Sequence, residues 1–344
     1  MNGMTLLEAG ALELLEYAQA HVVTCLVPAF FIAGAIAVFV SKQSVLTYFG
    51  ARAKKYVSYP VASVSGCILA ACSCTVIPLF AGIYRRGAGI GPATAFLYSG
   101  PAINILAIVF TARVLGIEVG VARAVLAISM AVVIGLVMAF LYQKEDSNPQ
   151  PQSKMYSESE DGQYKKWLFF VDLVLILVIG ASPLRGVVKW PVVMGLLAVL
   201  VYVVVKWQDR SETRLWMSET WQLSKLIVPY LLVGVFAAGI IKQGLPPAYV
   251  SRFVGGNSVS ANVTASVAGA LMYFATLTEV PIVDSLMSLG MGKGPELALL
   301  LAGPALSLPN MLAIRQVLGT QKTLTYIGLV ILFATLSGIV YGGI

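Results

Sequence analysis

Charged residues are scarce in this chain of 344 residues and make up 11% of it, whereas a water-soluble domain is about a quarter charged. Hydrophobic residues make up 58%. So few polar side chains cannot cover a surface that faces water. The scarcity therefore excludes an ordinary soluble domain. It indicates a chain that lies in a lipid bilayer, where each helical span needs about 20 mainly apolar residues.

Histidines, nucleotide-binding loops and basic patches are scarce or missing as well. His21 is the one histidine, and a single imidazole makes no metal site. No G-x-x-x-x-G-K-S/T loop occurs, so neither a nucleotide nor any cofactor is predicted. The basic residues are scattered through loops and give a net charge of +7. This distribution argues against nucleic-acid binding and is typical of the cationic loops of membrane proteins.

Basic residues are also absent from the first 20 positions, which carry Glu8, Glu13 and Glu16. A cleavable signal peptide begins with a basic stretch, so this pattern argues against one. We expect residues 1–20 to form an amphipathic helix at the membrane interface.

The four cysteines lie inside apolar runs and do not resemble an extracellular disulfide framework. Cys72 and Cys74 flank one serine and are too close for an ordinary structural bridge. Thiolates prefer soft metal ions, so this pair predicts a soft-metal or redox site. Cys67 would add a third sulfur only if the helix breaks between it and Cys72. We interpret Cys25 as a small buried hydrophobic residue.

The apolar runs form ten segments, separated by Gly, Pro and charged residues. A Pro-, Ser- and Glu-rich stretch over 143–166 predicts a solvated linker between two halves, and 206–223 is a second polar connection. The predicted layout is a first transmembrane repeat over 21–142, two additional spans over 167–205 and a second repeat over 224–344. The segments are 21–40, 57–84, 92–111, 120–142, 167–182, 187–205, 224–241, 260–289, 295–314 and 323–342.

An internal repeat relates the two halves. At an offset of 203 residues, positions 62–102 align without gaps with positions 265–305. Most of the identities are Gly and Pro, so they reflect a shared backbone geometry. Internal repeats with broken helices are the signature of secondary transporters, whose substrate sites lie at the repeat interface. The matches include Thr75 with Thr278, Pro78 with Pro281, and Gly100-Pro101-Ala102 with Gly303-Pro304-Ala305.

Counting Lys and Arg in the loops separates two topologies. If all ten segments span the bilayer, the loops divide 12 to 11 between the two sides. If 57–84 and 260–289 are re-entrant hairpins, the division is 16 to 7, which obeys the positive-inside rule. We therefore predict an all-α polytopic membrane protein with two inverted repeats, about eight spans, two re-entrant hairpins and both termini outside. Ten spanning helices is the alternative.

Polar groups in the predicted hairpins and in the broken helices after them are the next candidates. Glu279 lies in the second hairpin, and an ionisable group at membrane depth is a functional candidate by default. It would carry a coupling proton or offset a cationic substrate. Thr75, Asn104 and Asn310 lie beside the breaks, where their side chains would satisfy opened backbone or contact substrate.

Residues 72–107 resemble the hallmark region of the ArsP-like family of predicted permeases. Members show a Cys-Ser-Cys run, a Val-Pro-Leu-Phe-Ala-Gly-like stretch, a Gly-rich turn and a small-Pro-x-x-Asn element. Ile77 before Pro78 is a conservative departure. The resemblance implies export of soft metals or metalloids, including trivalent organoarsenicals, with Cys72 and Cys74 recognising the substrate. The motifs map onto Cys72–Cys74, Val76–Gly82, Gly87–Gly91, and Pro101 with Asn104.

The resulting hypothesis is a multi-pass permease of the inner (plasma) membrane, not an enzyme, that exports a soft thiophilic substrate by gradient-driven alternating access. Cys72 and Cys74 would hold the metal or metalloid, Cys67 would supply a third thiol to the substrate, and Glu279 would couple transport to protons. The oligomeric state is not predicted. The alternative is a membrane thiol–disulfide electron carrier. Against it, the usual C-x-x-C is missing and the second half has no cysteine.

Cysteine-accessibility labelling tests the re-entrant topology. Single cysteines introduced into the loops near residues 48 and 86 should react with a membrane-impermeant maleimide from the same side of the membrane, because a re-entrant 57–84 returns to the side from which it enters. Labelling from opposite sides would require 57–84 to span the bilayer.

Overall fold

The computed structural model describes residues 6–19, 26–39, 54–69, 73–142, 163–181, 186–207, 209–244, 253–272 and 279–344, and these ranges are almost entirely helical. Their fifteen helices confirm the predicted all-α fold. The helices are α1 (Leu6–Tyr17), α2 (Val27–Phe39), α3 (Lys55–Leu69), α4 (Ser73–Arg85), α5 (Ile90–Ala102), α6 (Ile105–Val114), α7 (Ile117–Tyr142), α8 (Gln163–Ala181), α9 (Gly186–Trp207), α10 (Arg210–Gly244), α11 (Val259–Leu271), α12 (Glu279–Ser288), α13 (Lys293–Leu306), α14 (Leu308–Leu318) and α15 (Thr320–Gly342).

Several predictions concern residues outside the described ranges. These are Cys25, Cys72, most of the linker 143–166, and the tips of both predicted hairpins at 70–72 and 273–278. Cys67 and Cys74 lie within helices, but their side chains are not described. The thiol site and the re-entrant course of both hairpins therefore stay predictions.

Four described helices are long and apolar enough to cross a bilayer, and the number rises to six if each of two bent helix pairs counts as one span. Their surfaces carry many exposed large apolar side chains, such as Phe140 and Val205. A multi-pass membrane protein follows from these helices. The four long segments are Ile117–Tyr142, Val188–Lys206, Arg210–Ala237 and Thr320–Gly342.

Both bent pairs contain the breaks that the sequence predicts. Helix α5 gives way to α6 at Ile103 and Asn104, and α13 gives way to α14 at Ser307, with a change of direction above 40° in each pair. Pro101 and Pro304 lie in the last turns before these breaks. Because proline lacks an N–H and crowds the preceding turn, the helical ladder ends there.

The two halves have matching helix positions. Helices α5, α6 and α7 begin at residues 90, 105 and 117, and α13, α14 and α15 begin at 293, 308 and 320, so each pair is 203 residues apart. Packing matches too, because α5 contacts α3 and α7 while α13 contacts α11 and α15. The repeat found in Gly and Pro thus coincides with a repeated helix arrangement. Inversion of one half relative to the other remains a prediction.

Contacts between the halves follow a reciprocal pattern. Counterparts pack on each other, α5 on α13 and α7 on α15. Helix α4 packs on α14, and its counterpart α12 packs on α6, the counterpart of α14. Tyr98 donates a hydrogen bond to the carbonyl of Leu301 at 3.3 Å, and these two residues correspond at the offset of 203. This exchange of contacts is what a two-fold relation between two similar units produces.

One predicted boundary lies inside a continuous helix. The polar connection over 206–223 and the apolar segment from 224 are joined in α10, which runs from Arg210 to Gly244. Trp216 in the connection is buried, donates to the carbonyl of Phe31 at 2.8 Å and packs edge-on against Phe169. The side chain of Trp216 is buried against α2 and α8. This contact keeps the polar stretch helical, so α10 begins before the predicted apolar segment.

Candidate functional site

Glu279 is the first residue of α12 and follows directly on the undescribed tip 273–278. Its exposed fraction is 0%, as is that of Arg123 on α7. The guanidinium Nη2 of Arg123 donates to Oε1 of Glu279 in a buried ion pair. The structure therefore places the predicted carboxylate deep inside the protein and gives it a partner from the other half of the chain.

Thr111 on α6 fixes the guanidinium of Arg123. Arg123 Nη1 donates to Thr111 Oγ1 at 2.8 Å, and Thr111 Oγ1 donates to the carbonyl of Ala107 at 2.7 Å. The hydroxyl thus accepts from the arginine and donates to its own helix, which orients the group. As a result, α6, α7 and α12 meet around one buried charge pair.

Some hydrogen-bonding capacity of the pair is unused. Among the described residues, Arg123 Nε and Glu279 Oε2 have no hydrogen-bond partner. Burial of two charges costs several kcal/mol per ion, and mutual attraction offsets this cost fully only when the remaining polar atoms are also satisfied. The mutual attraction of the two charges therefore offsets the cost of burying them only in part.

Arg123 is not among the site residues predicted from the sequence, because the Lys and Arg count treats it as a loop residue. Its signal was nevertheless present, since it lies inside the predicted segment 120–142 and a basic residue in an apolar run calls for an acidic partner. Because Arg123 is buried against Glu279, it does not report topology. Removing it changes the count for the second side from seven to six and leaves the 16 on the first side unaltered.

The ion pair has no charged equivalent in the repeat. At the offset of 203, Arg123 corresponds to Tyr326 and Glu279 to Val76, and both of these residues are buried. Tyr326 Oη has no hydrogen-bond partner among the described residues. The two positions of the ion pair are thus occupied by an uncharged tyrosine and a valine at the equivalent positions of the repeat.

The remaining candidates fall into two groups by helix packing. Thr75 is buried in the first turn of α4. Helix α4 packs on α14, and Asn310 lies in the first turn of α14. Asn104 is buried just before α6, which packs on α12 and hence lies on the side of Glu279. Asn310 is buried, and its Oδ1 has no hydrogen-bond partner among the described residues. Each helix after a predicted tip therefore meets the broken helix of the opposite half.

The side chains of Cys67, Cys72 and Cys74 are not among those that the structure describes. Within the described part of the chain, no group of three His, Cys, Asp or Glu side chains is arranged to hold a metal ion. The Cys72 and Cys74 site, with Cys67 as a third thiol, rests on the sequence alone.

The chain belongs to the ArsP-like family described as predicted permeases, whose family model matches residues 8–343. It is 46% identical over 342 residues to UPF0718 protein MJ0584 of Methanocaldococcus jannaschii, covering 96% of this chain and 94% of the relative. It is 25% identical over 273 residues to UPF0718 protein YraQ of Escherichia coli, covering 79% of this chain and 63% of the relative. No solved structure matches the chain. The family indicates a transporter rather than an enzyme.

A double-mutant cycle tests the buried pair. Arg123→Gln or Glu279→Gln alone should destabilise the purified protein by about 3–5 kcal/mol, because each leaves one buried charge without its partner. The double variant should be less destabilised than the sum of the two single variants. Thermal unfolding in detergent measures the effect. Arg113→Gln, at an exposed position on α6, is the matched control and should change little. Additive losses in the double variant would show that the two side chains do not interact.

Proposed function

We propose that this permease exports a soft thiophilic substrate, either a trivalent arsenical or organoarsenical or a soft metal ion, across the plasma membrane. The Cys-Ser-Cys run and the permease family support the substrate class, and the buried Arg123–Glu279 pair between the two halves supports the alternating mechanism. A permease that alternates between two conformations needs an interface with two discrete arrangements. A buried ion pair at that interface links the two halves, and the loss of only one partner has a high cost.

Thiol recognition is assigned to the entrance of α4. Helix α4 begins at Ser73, so Cys72 precedes its first residue and Cys74 lies in its first turn. A helix N-terminus favours negative charge and hence the thiolate form, which is the form that binds soft ions. Two sulfurs separated by one residue would hold the same ion, and Cys67 at the end of α3 would add a third.

Proton coupling is assigned to Glu279. Binding of a metal or metalloid to thiols releases their protons. Return of the empty carrier requires those protons to be replaced, and Glu279 is the buried carboxylate at the start of α12, the counterpart of the thiol helix. Protonation of Glu279 would discharge its pair with Arg123 and free α12 from α7. The proposed cycle thus alternates between a closed ion pair and a protonated, open interface.

Replacement of the thiols tests substrate recognition. In everted membrane vesicles, uptake should be screened with arsenite, methylarsenite, copper, zinc and a neutral control solute. For the true substrate, Cys72→Ser and Cys74→Ser should each reduce uptake to background, because a hydroxyl does not replace a thiolate as a soft ligand. Cys25→Ser is the matched control, and uptake should persist.

Two outcomes would contradict the proposal. Undiminished uptake by the Cys72→Ser/Cys74→Ser double variant would remove the thiolate site. A mixed disulfide trapped at Cys72 or Cys74 in cells, without uptake of any of these solutes, would instead favour the thiol–disulfide carrier.

A further inference from the structure

We propose that Glu296, near the start of α13, is a second proton-binding site from which protons reach Glu279. This inference rests on the proposed proton coupling. It concerns the carboxyl group of Glu296, which takes no part in the ion pair of Arg123 and Glu279. Glu296 lies in the first turn of α13, three residues after the exposed Lys293.

The carboxyl group of Glu296 is buried without partners. Its residue is 1% exposed, and among the described residues neither Oε1 nor Oε2 has a hydrogen-bond partner. A buried ionised carboxylate needs a counter-ion and hydrogen bonds, as Glu279 has in Arg123. Without them the neutral, protonated form is favoured. We therefore expect Glu296 to bind a proton more readily than Glu279, whose carboxylate has Arg123 as a partner.

The charges around Glu296 allow that proton to leave again. Lys293 on its own helix and the N-terminus of α13 favour the carboxylate, and the exposed Asp284 on α12 favours the protonated form. Tyr341 on α15 lies within electrostatic range of both Glu296 and Glu118, the latter on α7. These opposing influences suit a group that exchanges protons.

The other helices packed on α13 contribute little charge. Helix α11 has no ionisable residue. Tyr98 of α5 contacts Leu301, five residues further along α13 than Glu296. Arg315 of α14 is exposed, and its Nε donates to Thr320 at 3.0 Å. None of these groups neutralises Glu296.

Helix α12 connects this carboxyl group with the ion pair. It packs on α13 and begins with Glu279, and Asp284 lies about 7.5 Å further along its axis. Asp284 interacts electrostatically with Glu296. Glu296, Asp284 and Glu279 thus lie on two helices that pack on each other, and in the proposal a proton passes along them in this order.

The carboxyl groups of Glu296 and Glu279 on this path occur in the second half of the chain and have no counterpart in the first half. At the offset of 203, Glu296 corresponds to Ala93 and Glu279 to Val76, both apolar and buried. The first half therefore has no such carboxyl groups at these positions. Under the predicted topology the start of α13 at Lys293 faces the outside, so the path would accept external protons while the thiols of the first half carry the exported substrate.

Dicyclohexylcarbodiimide tests the proton on Glu296. This apolar reagent adds to protonated carboxyl groups and leaves a stable acylurea that peptide mass spectrometry locates. The full-length wild-type protein in detergent should be labelled at Glu296, with a rate that falls about tenfold per pH unit above the midpoint. Glu279 should react far more slowly, because Arg123 keeps it ionised. Glu296→Gln should lose the label, and Asp284→Asn should retain it.

The labelling result is independent of the transported substrate, so it separates this inference from the proposed export. Faster labelling of Glu279 than of Glu296, or none at Glu296, would overturn the assignment. Protection by sodium at constant pH would replace the proton with a metal cation and would also overturn it. If Glu296→Gln fails to fold, the wild-type peptide map alone decides.

Discussion

The constraint on which this structure depends is the cost of burying charge inside a membrane protein. Arg123 and Glu279 have no exposed surface, and each makes the other tolerable. They lie on helices from different halves of the chain, 156 residues apart. Because neither charge is stable alone, the pair ties α7 to α12 whenever Glu279 is ionised. In the proposed mechanism, a single proton on Glu279 removes that tie, so a small chemical change alters the packing of two large helical units.

The two halves share a scaffold and differ in chemistry. Matching helix starts, matching neighbours and the reciprocal contacts of α4 with α14 and α12 with α6 show the shared scaffold. The cysteine pair belongs to the first half, and the carboxyl groups of Glu279 and Glu296 belong to the second. In the proposed mechanism one half binds the substrate and the other binds the proton. A repeated architecture provides two equivalent positions, and side-chain differences give them opposite roles.

Local features of the fold were predictable from sequence, and long-range pairings were not. Gly100-Pro101 and Gly303-Pro304 interrupt the helical ladder through their own covalent chemistry, so the breaks lie where the sequence predicts them. The burial of Glu279 followed from its apolar surroundings. Its pairing with Arg123 depends on how α7 meets α12, which no local pattern encodes. Likewise, α10 continues through a polar stretch because Trp216 packs on α2 and α8, a tertiary contact that outweighs composition.

We propose that electrostatic attraction between positions 123 and 279 holds the two halves together during transport. The most direct measurement is the charge swap Arg123→Glu with Glu279→Arg, compared with each single reversal for thermal unfolding in detergent and for uptake in vesicles. Each single reversal places like charges together and should abolish uptake. The swap restores an opposite pair, so it should recover much of the stability and part of the uptake. A swapped protein no better than the single reversals would contradict the account.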